Sequence, residues 1–142
     1  ELFSMPKTTT AKLKAKLDKL VSEYVRRSNS DHKGMVKCFT CNAEVYWKSI
    51  HNGHFMSRIH LSTRFDYDTT KPSNCNPQCF RCNINLSGNQ WTYARKLDLK
   101  FGEGTAEEIE KRSKMVVKLS RVDYEEAIAN IKEKIKQLTY DC

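Results

Sequence analysis

The chain has 142 residues, 39% of them hydrophobic and 30% charged, and no apolar run approaches the roughly eighteen residues that a membrane span needs. A membrane-spanning helix is thereby excluded, and one small soluble domain with helical arms is expected. The formal net charge is +8 and the pI about 9.2, which points to a polyanionic partner.

The charge is unevenly spread. Residues 1–37 carry nine Lys/Arg against four Asp/Glu, residues 38–91 five against three, and residues 92–142 eleven against ten. Phosphate contacts are therefore expected from the N-terminal arm, with Lys12, Lys16 and Lys19 as the candidates; the plainer reading of those lysines is a solvated helix face.

Residues 11–27 read as an amphipathic helix, because Leu13, Leu17, Leu20, Val21 and Tyr24 recur on one helical face. Thr8 to Thr10, after Pro6, supply cap candidates, and Ser28-Asn29-Ser30 with Gly34 ends it. Val45 to Trp47 and His51 to Phe55 then read as short strands of a hairpin, and Leu61 to Asn74 as a loop containing Asp66, Asp68 and Pro72. After Cys82 the pattern turns helical: Trp91, Ala94, Leu97 and Phe101 share a face, and Gly102 and Gly104 provide a stop. Thr105 with Glu108 predicts a capping box for a third helix through about Val117, and Asp123 with Glu126 a similar start for a fourth. The fourth carries an apolar stripe, Tyr124, Ala127, Ile128, Ile131, Ile135 and Leu138, that must pack within the protomer or across a dimer.

Two Cys-x-x-Cys turns stand out from this background: Cys38-Phe39-Thr40-Cys41 and Cys79-Phe80-Arg81-Cys82. Two residues between thiolates let both sulfurs of a turn reach one ion, and two such turns complete a tetrahedral four-thiolate shell for a structural zinc. A pair of disulfides is the competing reading. The first thirty residues hold about ten charges and no apolar leader, so a reducing cytoplasm is expected, where such turns bind metal. Cys75 and Cys142 are left as free thiols; Cys75 is a rival ligand only at a poorer spacing from Cys79. Zinc thiolates subtract two charges net, leaving about +6.

The segment bracketed by the cysteines holds His54, Asn74 and, directly after Cys82, Asn83. Phosphodiester hydrolysis needs an oriented base to activate water and a cation to stabilise the leaving oxygen. His54 suits the base, its ordinary pKa lying close to neutral pH. Asn74 suits an orienting amide that fixes the hairpin, and Asn83 an oxygen ligand for a divalent ion. Arg58 and Arg64 fall where they can hold adjacent phosphates, or else are exposed loop arginines.

This ordered set resembles the HNH, or ββα-metal, endonucleases. More closely, Cys38-x-x-Cys41, Gly53-His54-Phe55-x-Ser57-Arg58, Arg64-Phe65, Asn74, Gln78-Cys79-x-x-Cys82-Asn83, Ser87-Gly88-Asn89 and Tyr93 resemble the NinG/Rap recombination endonucleases of lambdoid phages. The phage endonuclease VII type of junction resolvase is a more distant likeness. The resemblance implies an α+β fold: a small zinc-knuckle ββα-metal core over residues 35–101, a basic helical arm over 1–34 and C-terminal helices over 102–142. It implies a magnesium- or manganese-dependent nuclease that cuts branched recombination intermediates, such as Holliday junctions and D-loops, in the cytoplasm of the bacterial host. Two-strand cutting requires two sites, so a homodimer through one of the amphipathic helices is expected. One departure matters. Many HNH sites place an acidic metal ligand immediately before the base, where this chain has Gly53; His51, Asp66 and Asp68 are the candidates to replace it. Two alternatives stay open: a non-catalytic zinc-knuckle DNA-binding accessory protein, and an HNH nicking or restriction-type nuclease.

Overall fold

The computed structural model describes residues 8–140, with side chains through 138, so Pro6 and Cys142 lie outside the described residues. The first helix, α1 (Thr10–Ser28), starts where the Thr9 hydroxyl accepts the Lys12 N–H at 3.2 Å. It closes with Arg26 and Arg27 in the last turn, where cations suit the helix dipole. Its stripe of Leu13, Leu17, Val21 and Val25 is buried against Tyr124, Ile128 and Ile131 of the last helix, α5 (Arg121–Tyr140). Each such side chain contributes about 1.5–3 kcal/mol, an upper figure, when removed from water. The two apolar stripes offered by the sequence as a dimer contact are thus spent on each other within one chain.

Between these helices lie two separate two-stranded antiparallel sheets. Strand β1 (Met35–Lys37) pairs with β2 (Glu44–Tyr46), with Val36 opposite Val45. Strand β3 (His51–His54) pairs with β4 (Cys75–Gln78), with Gly53 opposite Asn76 and His54 opposite Cys75. This corrects the single hairpin expected between residues 45–47 and 51–55. After Tyr46 the chain bends sharply, with the N–H groups of Ser49 and Ile50 bonded to the Tyr46 carbonyl. The Val45 strand therefore folds back across the first cysteine turn, and the His54 strand is left to find its partner beyond the long connection. That connection contains one helical turn, α2 (Leu61–Arg64), which has too few residues to show apolar periodicity.

A five-residue π-helical turn, Arg81–Asn85, follows β4, and then come α3 (Gln90–Phe101) and α4 (Thr105–Ser113). Helix α3 buries Tyr93 and Leu97 with Ala94 and Phe101 packed alongside, as the sequence suggested for the last three, but Trp91 is 76% exposed and Tyr93 takes its place on the inward face. Tyrosine can be buried here because its hydroxyl is satisfied: it donates to the Gly53 carbonyl at 2.7 Å and accepts from Asn76 Nδ2 at 3.1 Å. Helix α4 ends at Ser113, short of Val117. Its start is capped by Asp98 of α3, which accepts the Ala106 N–H at 2.9 Å, while Thr105 bonds back to Gly102. For α5 the box is real but shifted: Ser120 Oγ accepts the Asp123 N–H at 3.1 Å and Asp123 accepts the Ser120 N–H at 2.8 Å. No helix among the described residues is long and apolar enough to cross a membrane.

Tyr93→Phe keeps the ring and removes the donor to Gly53. Leaving that buried carbonyl without its partner should cost about 1–3 kcal/mol in urea unfolding, with zinc content unchanged.

Candidate functional site

The four sulfurs of Cys38, Cys41, Cys79 and Cys82 all lie within 4.8 Å of one another. Cys41 Sγ and Cys79 Sγ are 3.7 Å apart, close to the ~3.8 Å edge of a tetrahedron with the ordinary zinc–sulfur length. The backbone builds this shell. The Asn42 N–H bonds the Cys38 carbonyl with Asn42 in the left-handed region at φ 66°, and the Asn83 N–H bonds the Cys79 carbonyl at 2.9 Å. These four cysteines could hold one zinc ion. Burial alone would push the Cys38 thiol up, but the Thr40 hydroxyl and nearby backbone N–H groups hold it down to about 6. Burial and the adjoining sulfurs push Cys41 up to about 12. The Cys38 thiolate forms easily while Cys41 and Cys79 resist, mainly through burial, a conflict that a divalent cation removes. Cys75 lies outside the cluster, fully buried, with its thiol pushed up by burial.

Beside this shell opens a cleft of about 940 Å³, walled by α1, β3, the loop of residues 55–60 and the turn that begins at Asn83. His51, His54 and Asn83 line it together. His54, half-buried, donates from Nε2 to the Arg64 carbonyl at 3.0 Å. A carbonyl can only accept, so the proton sits on Nε2 and Nδ1 keeps the lone pair. Burial lowers the His54 pKa from its ordinary value, opposed by the Arg64 carbonyl and aided by the Arg58 cation, so the ring is neutral at pH 7. Asn83 Nδ2 stands 3.0 Å from His51 Nδ1; the amide can equally turn its oxygen that way.

Asn74 does not reach the cleft. It is fully buried, accepting the Met56 N–H at 2.6 Å and donating to the carbonyls of Met56 and Thr63, so it ties the loop to the strand. Arg58 stands at the rim with its side chain 62% exposed. Arg64 lines the cleft but is not a free phosphate ligand: its guanidinium makes a bidentate pair with Asp18 at 3.0 and 2.7 Å and donates to the Arg58 carbonyl. Lys12, Lys16 and Lys19 are exposed on α1 and line none of the cleft; the cations α1 and its neighbours bring there are Arg26 and Lys48.

Two of the three candidates to replace the missing acid lie elsewhere. Asp66 is consumed by Arg112, at 2.6 and 3.0 Å, and by the Asn74 N–H. Asp68 caps its own turn through Thr70 and pairs with Lys71. Neither lines the cleft, whereas His51 does. The reason Gly53 carries no acid is steric: a Cβ there would lie 2.1 Å from Gln78 Oε1. Gln78 is itself locked, donating from Nε2 to Thr40 Oγ1 and to the Gly88 carbonyl.

The sequence matches the family model described as bacteriophage lambda NinG protein over residues 7–141. The chain belongs to this NinG family. It is a phage recombination-related protein of mixed α+β build. No curated protein and no solved structure matches it. Sequence reasoning gave no role to Asp18, which among the described residues is the one acid lining this NinG cleft; in the sequence it reads as one more charge on a lysine-rich helix. Gln78 entered only as part of the family signature; it is fully buried outside the cleft lining, and nothing in a sequence marks it as the side chain that fills the space beside Gly53.

Two outcomes are expected. Purified protein should contain one zinc per chain, and chelation should unfold the two sheets cooperatively, followed by circular dichroism. Gly53→Ala should lower stability by about 1–3 kcal/mol in thermal melts, with Gln78→Ala in the same chain restoring part of it.

Proposed function

We propose that this NinG-family protein is a divalent-metal-dependent endonuclease of the HNH type acting on branched DNA, such as Holliday junctions and D-loops, in the host cytoplasm. The observation that carries the reading is His54, at the end of β3, with Nε2 tied to a carbonyl and its lone pair on Nδ1 inside a cleft lined by Arg26, Lys48 and Arg58. A strand, a second strand and a helical turn come in that order as β3, β4 and Arg81–Asn85, with the single turn α2 in the connection between the strands, and this order agrees with a ββα-metal core. In the reaction, the Nδ1 lone pair takes the proton of the attacking water while the Arg64 carbonyl keeps the ring from turning. Asn74 acts at one remove, holding the loop that carries the phosphate-facing Arg58.

The donor set for a catalytic cation is His51 Nδ1 and the Asn83 side-chain oxygen, with no carboxylate. When bound, a divalent ion there supplies Lewis-acid stabilisation of the leaving oxygen. An imidazole in place of an acid suits magnesium poorly, so of the two ions expected, magnesium and manganese, manganese is the one to test first. Cutting two strands of a junction takes two copies, and with the α1 and α5 stripes occupied the pair must meet through another surface.

His54→Ala should lower junction cleavage by at least about 100-fold while leaving junction binding intact. Intact cleavage by that variant ends the nuclease reading, and tight binding without cleavage by the wild type would favour the accessory DNA-binding role. A linear duplex cut as fast as the junction would instead favour a nicking or restriction-type enzyme. Because His54 titrates below its ordinary value, the acid limb of kcat should have its midpoint below pH 6.5. By the same linkage the unfolded chain binds the His54 proton more readily, so stability falls as pH drops through the 6.5 region toward the folded pKa. His51→Ala should weaken manganese binding, read by the EPR signal of the free ion, without changing the zinc content.

A further inference from the structure

We infer that Asp18, on α1, is a positioning residue for the reaction centre: its carboxylate fixes Arg64, whose backbone carbonyl fixes the His54 ring. This rests on the reading of His54 as the general base and extends the machinery to a helix outside the ββα core.

The carbonyl in question closes α2, a helix of a single turn, Leu61–Arg64. So short a helix has no stability of its own, and its position is whatever its side chains impose. On one side Arg112 of α4 holds it, accepting from Ser62 Oγ at 2.6 Å and donating to the Ser62 carbonyl at 3.0 Å. On the other side the hold falls on the residue whose carbonyl is used. Arg64 Nε and Nη2 meet Asp18 Oδ1 and Oδ2 at 3.0 and 2.7 Å, and Nη1 donates to the Arg58 carbonyl at 2.8 Å. A planar guanidinium bonded in three directions cannot rotate, and its backbone is fixed with it. Both side chains are only 17% exposed, so the pair is shielded from exchange with solvent ions. The chain of contacts then runs from Arg64 O to His54 Nε2 at 3.0 Å.

Asp18 also sets the charge at the base. Arg58 and Arg64 disfavour protonation of His54, and Asp18 opposes them; His51 and His60 share the cleft. Removing Asp18 therefore lowers the His54 pKa. Simple loosening of the fold would do the opposite, hydrating the ring and returning it toward its ordinary value.

The test compares wild type, Asp18→Ala, Asp18→Glu and His54→Ala on a labelled four-way junction with manganese, across pH. Asp18→Ala should reduce kcat about 10- to 100-fold, the usual penalty for misplacing a catalytic group by about an ångström. Junction affinity should be unchanged or tighter, since an anion leaves a cationic cleft, and the acid limb should move to lower pH. Asp18→Glu, which can still reach Arg64, should recover part of kcat. Independently of turnover, 15N spectra should show His54 protonated at Nε2 in the wild type and a mixture of tautomers in Asp18→Ala. Wild-type kcat in Asp18→Ala overturns the inference, as does a limb that moves up, or an unchanged single tautomer. If Asp18→Ala fails to fold, Asp18→Asn, which keeps one acceptor for Arg64, carries the same readouts. Cleavage by His54→Ala at the wild-type rate, or no cleavage by the wild type, removes the nuclease reading and this inference with it. An inactive His54→Ala beside a fully active Asp18→Ala removes the inference alone.

Discussion

Strand β4 has no exposed face, and that constraint organises everything around it. Cys75, Asn76, Pro77 and Gln78 are all buried, as is Asn74 just before them. Three amides in so dry a place must find partners or destabilise the fold by several kcal/mol together. Their NH2 groups find partners on different elements: Asn74 on the loop through Met56 and Thr63, Asn76 on α3 through Tyr93, Gln78 on the first cysteine turn through Thr40 and on the turn after Asn85 through Gly88, while the Asn74 oxygen takes the Met56 N–H and the buried oxygens of Asn76 and Gln78 meet no protein donor among the described residues. The centre of the protein is thus a polar network with small apolar clusters on its flanks. Such a network fixes one arrangement more sharply than a greasy core, because a shifted register leaves several groups unpaired at once.

The sulfur shell and the cleft are two readings of that same strand. The end of β4 runs directly into Cys79, and the Pro77 carbonyl accepts the Phe39 N–H at 2.7 Å, so the first cysteine turn is stitched to the second before any ion is considered. His54 faces Cys75 across the ladder, which places its ring within a few residues of the buried amides. Rigidity generated by the amides is therefore delivered to an imidazole that lines the cleft.

Much of this was legible beforehand, and the reasons for the rest are specific. Cysteine spacing announces the sulfur shell because it is a local geometric requirement, and α1 and α5 announce themselves by long apolar stripes. The strand pairing was not legible: strands of three or four residues carry almost no alternation, and β4 has polar residues on both faces where a buried strand ordinarily shows aliphatic ones. The starts of α4 and α5 lay within about two residues of those expected, but the capping residues differed, because Asp98 and Ser120 do the capping from positions the box pattern does not weigh. His51, His54, Asn83, Arg58 and Arg64 do line one cleft, as residue type and order suggested, while Asn74 is buried behind it and Asp66 and Asp68 lie elsewhere; Asp66, and Arg64 as a free cation, were misread for a common reason. An exposed-looking charged residue in a loop gives no sign of the opposite charge, on another element, that claims it.

The pairing of α1 with α5 carries a consequence for the order in which the molecule is made. Residues near the start of the chain wait for residues beyond 120 before their apolar face is covered. At translation rates of about 5–20 residues per second, that wait lasts several seconds at least. Until α5 arrives, Leu13, Leu17 and Val21 lack Tyr124, Ile128 and Ile131, and α1 has only β3, β4 and the neighbourhood of Phe65 and Tyr67 to rest on. The stretch from Met35 to Tyr93, by contrast, holds all four cysteines and the partners of the buried amides, and is complete before α5 is begun. Assembly is therefore staged: the cysteine-bearing centre can close first, and the full cover of α1, which walls the cleft at His54, comes last.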